Sequence, residues 1–103
     1  MAQFSGTAKV GSAGKKGARI FLEGLGARSN GRWSAGTHYT VQYSPDMRTL
    51  HLIRDVEGKR KVSSPSKGGA IDLTSGKVLQ FTAGYSRVAY TITPAVITIT
   101  LGA

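Results

Sequence analysis

The sequence predicts an all-β domain, or nearly so: a small pseudo-symmetric β-barrel built from two similar repeats in one chain. Three observations carry that prediction. Apolar and polar residues alternate with period two along most of the chain, the pattern of half-buried strands. The stretches YTVQYSPDMRTLHL (Tyr39–Leu52) and VAYTITPAVITITL (Val88–Leu101) align without a gap. Fourteen glycines and no cysteine among 103 residues demand many turns and a fold held by packing, without disulfides or thiolate metal sites.

Taken in order, QFSGTAKV near the N-terminus is expected to add a strand with Phe4 and Val10 as its apolar contacts. The first strand of each repeat spans Arg19–Glu23 and Ala70–Thr74, with Ile20-Phe21-Leu22 matching Ile71-Asp72-Leu73. The connectors GLGARSNGR and SGKVLQ each have room for a short helical turn, although glycine makes the first a poor helix. Trp33-Ser34-Ala35-Gly36 then matches Phe81-Thr82-Ala83-Gly84, a small-residue turn leading into a hairpin. Tyr39, Val41 and Tyr43 point one way, as do Val88, Tyr90 and Ile92; Leu50 and Leu52 alternate, as do Ile97, Ile99 and Leu101. Pro45 and Pro94, each preceded by a hydroxyl residue, mark the hairpin turns because proline presets a turn's first corner. RDVEGKRKVSSPSKGG (Arg54–Gly69) is polar and rich in Gly, Ser and Lys, the composition of a linker.

The chain is therefore read as a single domain (1–103), with repeat one at about 18–54, a basic linker at 55–69 and repeat two at about 70–102. A repeat of roughly 35 residues cannot bury its apolar face alone, so the two must pack on each other. Duplication supplies in one chain what a homodimer would supply with two, and a monomeric pseudo-dimer or a homodimer is expected.

Fourteen Lys and Arg against five Asp and Glu give a net charge of +9. Such a field attracts polyanions, and phosphate backbones are the expected partner. Lys15, Lys16, Arg19, Arg28 and Arg32 form the densest cluster, opposed only by Glu23; Lys59, Arg60 and Lys61, with Lys67 beyond, form a second run in the linker. These eight residues, Lys67 aside, are the candidate nucleic-acid-binding set, with Arg19 and Arg28 chosen to reach base edges and the rest to contact phosphate. No apolar run is long enough for a signal peptide or for the roughly 20 residues of a bilayer span, so a soluble cytoplasmic protein with no membrane partner is expected.

RIFLEG, a glycine-rich connector and WSAGTHYTVQYSPDMRTLHLI together resemble the AbrB/MazE/SymE swapped-hairpin superfamily, with the first repeat most similar to the SymE branch. AIDLTSGKVLQFTAGYSRVAYTITPAVITITL is similar in plan. The resemblance implies a swapped-hairpin β-barrel whose first strands and adjacent loops present basic residues to DNA, in a transcriptional regulator or antitoxin; SymE-like members are instead described as toxins. Here both halves lie in one polypeptide, and the second repeat carries Ala70 or Asp72 near the position that corresponds to Arg19.

Two other readings stay open. Single-stranded DNA or RNA binding would need Trp33 or Tyr85 exposed for stacking, whereas the match of Trp33 to Phe81 places it in the core. A protein-interaction module or inhibitor would dock on an acidic partner. For an enzyme, His38 and His51 have no cysteine and few acids nearby, and Asp46, Asp55, Glu57 and Asp72 show no two-carboxylate spacing; no P-loop or dinucleotide fingerprint appears. The expectation is a non-enzyme with no catalytic residues, no cofactor and no metal.

Overall fold

The period-two alternation resolves into eight strands. The computed structural model of the chain describes residues 4–12, 18–29, 31–63 and 69–101. Its elements are β1 (Phe4–Ser12), β2 (Ala18–Glu23), α1 (Leu25–Arg28), β3 (His38–Tyr43), β4 (Thr49–Arg54), β5 (Arg60–Lys61), β6 (Ala70–Ser75), α2 (Gly76–Phe81), β7 (Arg87–Ile92) and β8 (Val96–Leu101). The strands form one antiparallel sheet in the order β5-β3-β4-β8-β7-β1-β2-β6. It curls into a nearly closed barrel, and Ser63 and Ala70 exchange backbone hydrogen bonds of 2.9 and 3.0 Å to bring its two end strands together.

Inward positions supply the core. Ile20, Leu22, Leu50, Leu52, Ile71, Leu73, Ile92, Ile97 and Ile99 are fully buried, each worth roughly 1.5–3 kcal/mol of transfer free energy. Trp33 and Phe81, the matched aromatics of the two connectors, are both buried. Trp33 Nε1 donates to the Thr93 carbonyl at 2.9 Å, tying the first connector to the far hairpin. Both hairpin turns are clamped by the hydroxyl that precedes proline. Ser44 Oγ accepts from the Thr49 and Arg48 amides, and Thr93 Oγ1 accepts from Val96 N at 3.2 Å. Gly36 and Gly84, at matching positions, hold φ of 91° and 83°, where a Cβ would be strained.

A pseudo-two-fold axis relates the repeats. In β2·β6, Ile20 faces Leu73 and Leu22 faces Ile71, so the axis crosses this wall at Phe21–Asp72. In β4·β8 it crosses the opposite wall at Leu50–Ile99. The same operation superposes β1 on β5: Lys9 pairs with Arg87 as Lys61 pairs with His38, and Gly11 pairs with Arg19 as Ser63 bridges Ala70. The repeat is therefore longer than the sequence expectation. The segment expected to be a linker contains β5, buries Val62, and is the counterpart of the N-terminal strand.

The two counterparts differ in length for a topological reason. Arg54 of β4 flanks Tyr39 on one side and Arg60 of β5 flanks it on the other. Residues 55–59 must therefore cross over β3, and Gly58 lies so close that an added Cβ would stand 2.4 Å from the Tyr39 carbonyl oxygen. His38 Nδ1 hydrogen-bonds the Gly58 carbonyl at 2.9 Å across this crossing. β1 extends over nine residues.

Candidate nucleic-acid interface

Outward-facing residues sort the barrel surface into two unlike walls. On the wall crossed by the axis at Phe21–Asp72, one row runs from Arg87 (β7) to Lys9 (β1), Phe21 (β2) and Asp72 (β6), each opposite the next. Lys9 falls opposite Phe21 by continuing the β1·β2 register two residues past Gly11–Arg19. Continuing from the Ser63–Ala70 bridge in the same way places Lys61 at the level of Asp72, and Lys61 is opposite His38. Adjacent strands lie about 4.8 Å apart, so the stretch from Arg87 to Asp72 spans roughly 14 Å across four strands. Arg19 stands beside it on β2.

The opposite wall carries no charge on its matching row. Gln42, His51, Thr98, Thr91 and Ser5 stand opposite one another in turn across β3, β4, β8, β7 and β1. The outward positions Thr49, His51, Ile53, Val96, Thr98 and Thr100 of β4 and β8 carry no Lys, Arg, Asp or Glu, and the exposed Arg54 at the end of β4 donates to the Pro94 carbonyl at 2.8 Å. The basic character of the sheet is thus segregated by face.

Arg19 is the best-positioned cation of the row. Its Nε donates to Asp72 Oδ1 at 3.0 Å and its guanidinium carbon lies 4.6 Å from the Phe21 ring centre. The Arg19 hydrogen bond holds the Asp72 carboxyl below its ordinary pKa, with a smaller contribution from Thr74. Arg87 donates to Thr7 Oγ1 at 3.2 Å, which fixes its direction along β1.

The expected cluster does not assemble as one group. Arg19 and Lys61 share the charged wall. Arg28 turns to the inward side of β1 and β7, donating to Tyr90 Oη at 2.7 Å and lying 5.0 Å from the Phe4 ring centre. Arg32 is exposed in the turn before Trp33. Lys59 and Arg60 line a groove between β3 and β6. Arg60 acts on Tyr39, whose pKa is raised chiefly by burial, with the guanidinium opposing. Lys15, Lys16 and Lys67 lie outside the described residues. Sequence reasoning missed Lys9 and Arg87, because each is a lone cation in its strand and only pairing brings them together. A signal existed in the repeat Gly6-x-x-Lys9-Val10 and Gly58-x-x-Lys61-Val62, which aligns β1 with β5.

Trp33, at 0% exposure, presents no stacking face, whereas Tyr85 is 47% exposed. Among the described residues no helix is long and apolar enough to cross a membrane. No family model matches the chain, and no curated protein or solved structure matches it.

Proposed function

We propose that the protein binds nucleic acid, duplex DNA in preference, on the wall formed by β7, β1, β2, β6 and β5. The observation that carries this reading is the segregation of Arg87, Lys9, Arg19 and Lys61 onto one face, against an uncharged row on the other. Lys9, Lys61 and Arg87 neutralise phosphates; Arg19, oriented by Asp72, is the residue that reaches a base edge. A pseudo-two-fold axis through the centre of the wall suits the two-fold character of a duplex. The order strand, short helix, hairpin, repeated twice, is what the AbrB/MazE/SymE resemblance implies, and a regulatory role of that type is part of the proposal.

The test is fluorescence anisotropy with labelled duplex DNA, single-stranded DNA and RNA of equal length between 50 and 200 mM salt. The three phosphate-contacting cations give a slope of about −2.7 in log affinity against log salt for duplex DNA, a loss of roughly 40-fold over that range. Replacing Lys9 and Arg87 by alanine should reduce the slope to about −0.9 and the loss to roughly 3.5-fold. Arg48→Ala, in the β3–β4 turn, serves as the control and should leave both unchanged. An unaltered slope in the double variant sinks the assignment of the wall, and stronger binding to single strands than to duplex sinks the choice of ligand.

A further inference from the structure

Among the described residues, the repeat geometry leaves one strand position of the barrel without a strand. In the first half, Phe4–Lys9 of β1 pairs along the whole of β7. In the second half its counterpart, β5, pairs with β3 only at His38 and Tyr39 and meets β6 only at Ala70. The residues that would continue β5 backwards are 56–59, and they are consumed in crossing over β3. Val56, the counterpart of Phe4, is thrown out to 90% exposure. A groove of about 550 Å³ lies where a strand would run, lined by Val41 and Tyr43 of β3, Leu73 of β6 and Val78 of α2.

Both edges of this groove present backbone groups. Ser44 N bonds Thr49 O and Asp55 N bonds His38 O, so even-numbered residues of β3 face β4 and Val41 faces the groove. The two-way bond between Ser63 and Ala70 gives the same parity on β6, directing the amides and carbonyls of Asp72 and Thr74 to the groove. β3 and β6 are parallel to each other, each antiparallel to β5, so one inserted strand running in the direction of β5 can bond both edges. The groove's floor is apolar, whereas Lys59, Arg60 and Lys77 stand around it against Glu57 alone.

We propose that this seam is a docking slot for a short extended acidic segment of a partner protein, which adds a strand and completes the barrel. Strand addition takes its affinity from main-chain hydrogen bonds and its selectivity from alternate side chains. The slot accepts four or five residues, with apolar side chains turned inward and acidic ones meeting the basic rim. Where β1 needs Gly6, because Tyr90 Oη would lie 2.9 Å from a Cβ, the slot offers the smaller Val41 and admits a side chain. The first strand of a second copy is a poorer occupant. It has no acidic residue, and leaving its own place gives up its pairing with β7 and the 6.1 Å Phe4–Tyr90 stacking. This inference is independent of the nucleic-acid reading.

The probe is a fluorescein-labelled octapeptide alternating valine with glutamate, compared with one alternating valine with lysine. Amide shifts in a 15N-labelled sample should map to Val41, Asp72 and Thr74, and the lysine peptide should bind at least tenfold more weakly. Lys77→Glu removes a rim charge, and Val41→Tyr fills the floor with the residue its counterpart position carries; each should weaken the glutamate peptide at least tenfold while circular dichroism stays unchanged. Shifts centred on Lys9, Arg19 and Lys61 would overturn the proposal, as would affinity indifferent to peptide charge. A dimer of the free protein that dissociates on adding peptide, read by light scattering, would assign the seam to a second copy instead and overturn it too.

Discussion

Replacing Gly58 by alanine tests the crossing that separates β5 from β1. The new Cβ would stand 2.4, 2.6 and 2.9 Å from O, C and N of Tyr39. All three are backbone atoms of a paired strand, so the strain cannot be relieved by turning a side chain. Overpacking of this kind costs about 1–3 kcal/mol. Displacing the loop also strains the 2.8 Å bond from Gly58 N to Asp55 O and the His38 contact to the Gly58 carbonyl, at about 1 kcal/mol for a lost bond. Against this, alanine restricts the unfolded chain and returns about 0.4–1 kcal/mol. The net destabilisation is about 2 kcal/mol, which for a domain of this size lowers Tm by roughly 8–16 °C. Thermal unfolding followed by far-ultraviolet circular dichroism reads it directly. Gly11→Ala is the matched control, since its nearest neighbours lie at 3.7 Å, and its stability should stay within about 0.5 kcal/mol of the parent. A Gly58→Ala protein melting within about 2 °C of the parent would refute the close crossing, and with it the reason given for the short β5.

Four further outcomes follow from the same geometry. Arg28→Ala removes the bond to Tyr90 Oη and the contact with Phe4, and denaturant unfolding should show a loss of about 1–2 kcal/mol. Trp33→Ala empties a fully buried site and should cost about 3–5 kcal/mol in the same assay, while in the parent protein acrylamide should quench the tryptophan little until the chain unfolds. Asp72→Asn removes the one carboxylate in the charged row and should tighten duplex binding several-fold at 50 mM salt, the gain shrinking as salt rises. Because the Asp72 carboxyl is depressed in the folded state, its stabilisation is present above the unfolded carboxylate pKa near 3.9 and is lost as pH falls through the lower folded value. With the two side chains 44% and 43% exposed, that contribution is under about 1 kcal/mol, so the Asp72→Asn protein should show a slightly flatter acid limb in a pH titration of Tm.

Much of the fold was legible in local pattern. Alternation placed β2, β3, β4, β6, β7 and β8 close to their observed bounds, because a half-buried strand needs one apolar face whatever its neighbours are. The Ala-Gly turns and the hydroxyl-Pro corners were legible for a similar reason: their chemistry is satisfied within a few residues. The linker was misread because 56–63 is dominated by charge and glycine, and only Val62 faces the core. Its strand pairing depends on β3 and β6, both distant in sequence.

The candidate site was legible as a surplus of charge and not as a place. Arg19 and Lys61 were foreseen and share a wall, while Arg28, equally basic and close in sequence to Arg19, lies against Tyr90 on the inward side of the strands. Lys9 and Arg87 meet only because β1 and β7 pair across 78 positions of sequence. The sequence by itself determined the class of fold, its duplication, its core-facing residues and its net positive charge, since these depend on composition and short-range periodicity. Tertiary structure alone decided which cations share a face and where the barrel stays open. Both depend on strand register and on the path of a five-residue crossing, quantities set by pairing between segments that carry no local record of each other.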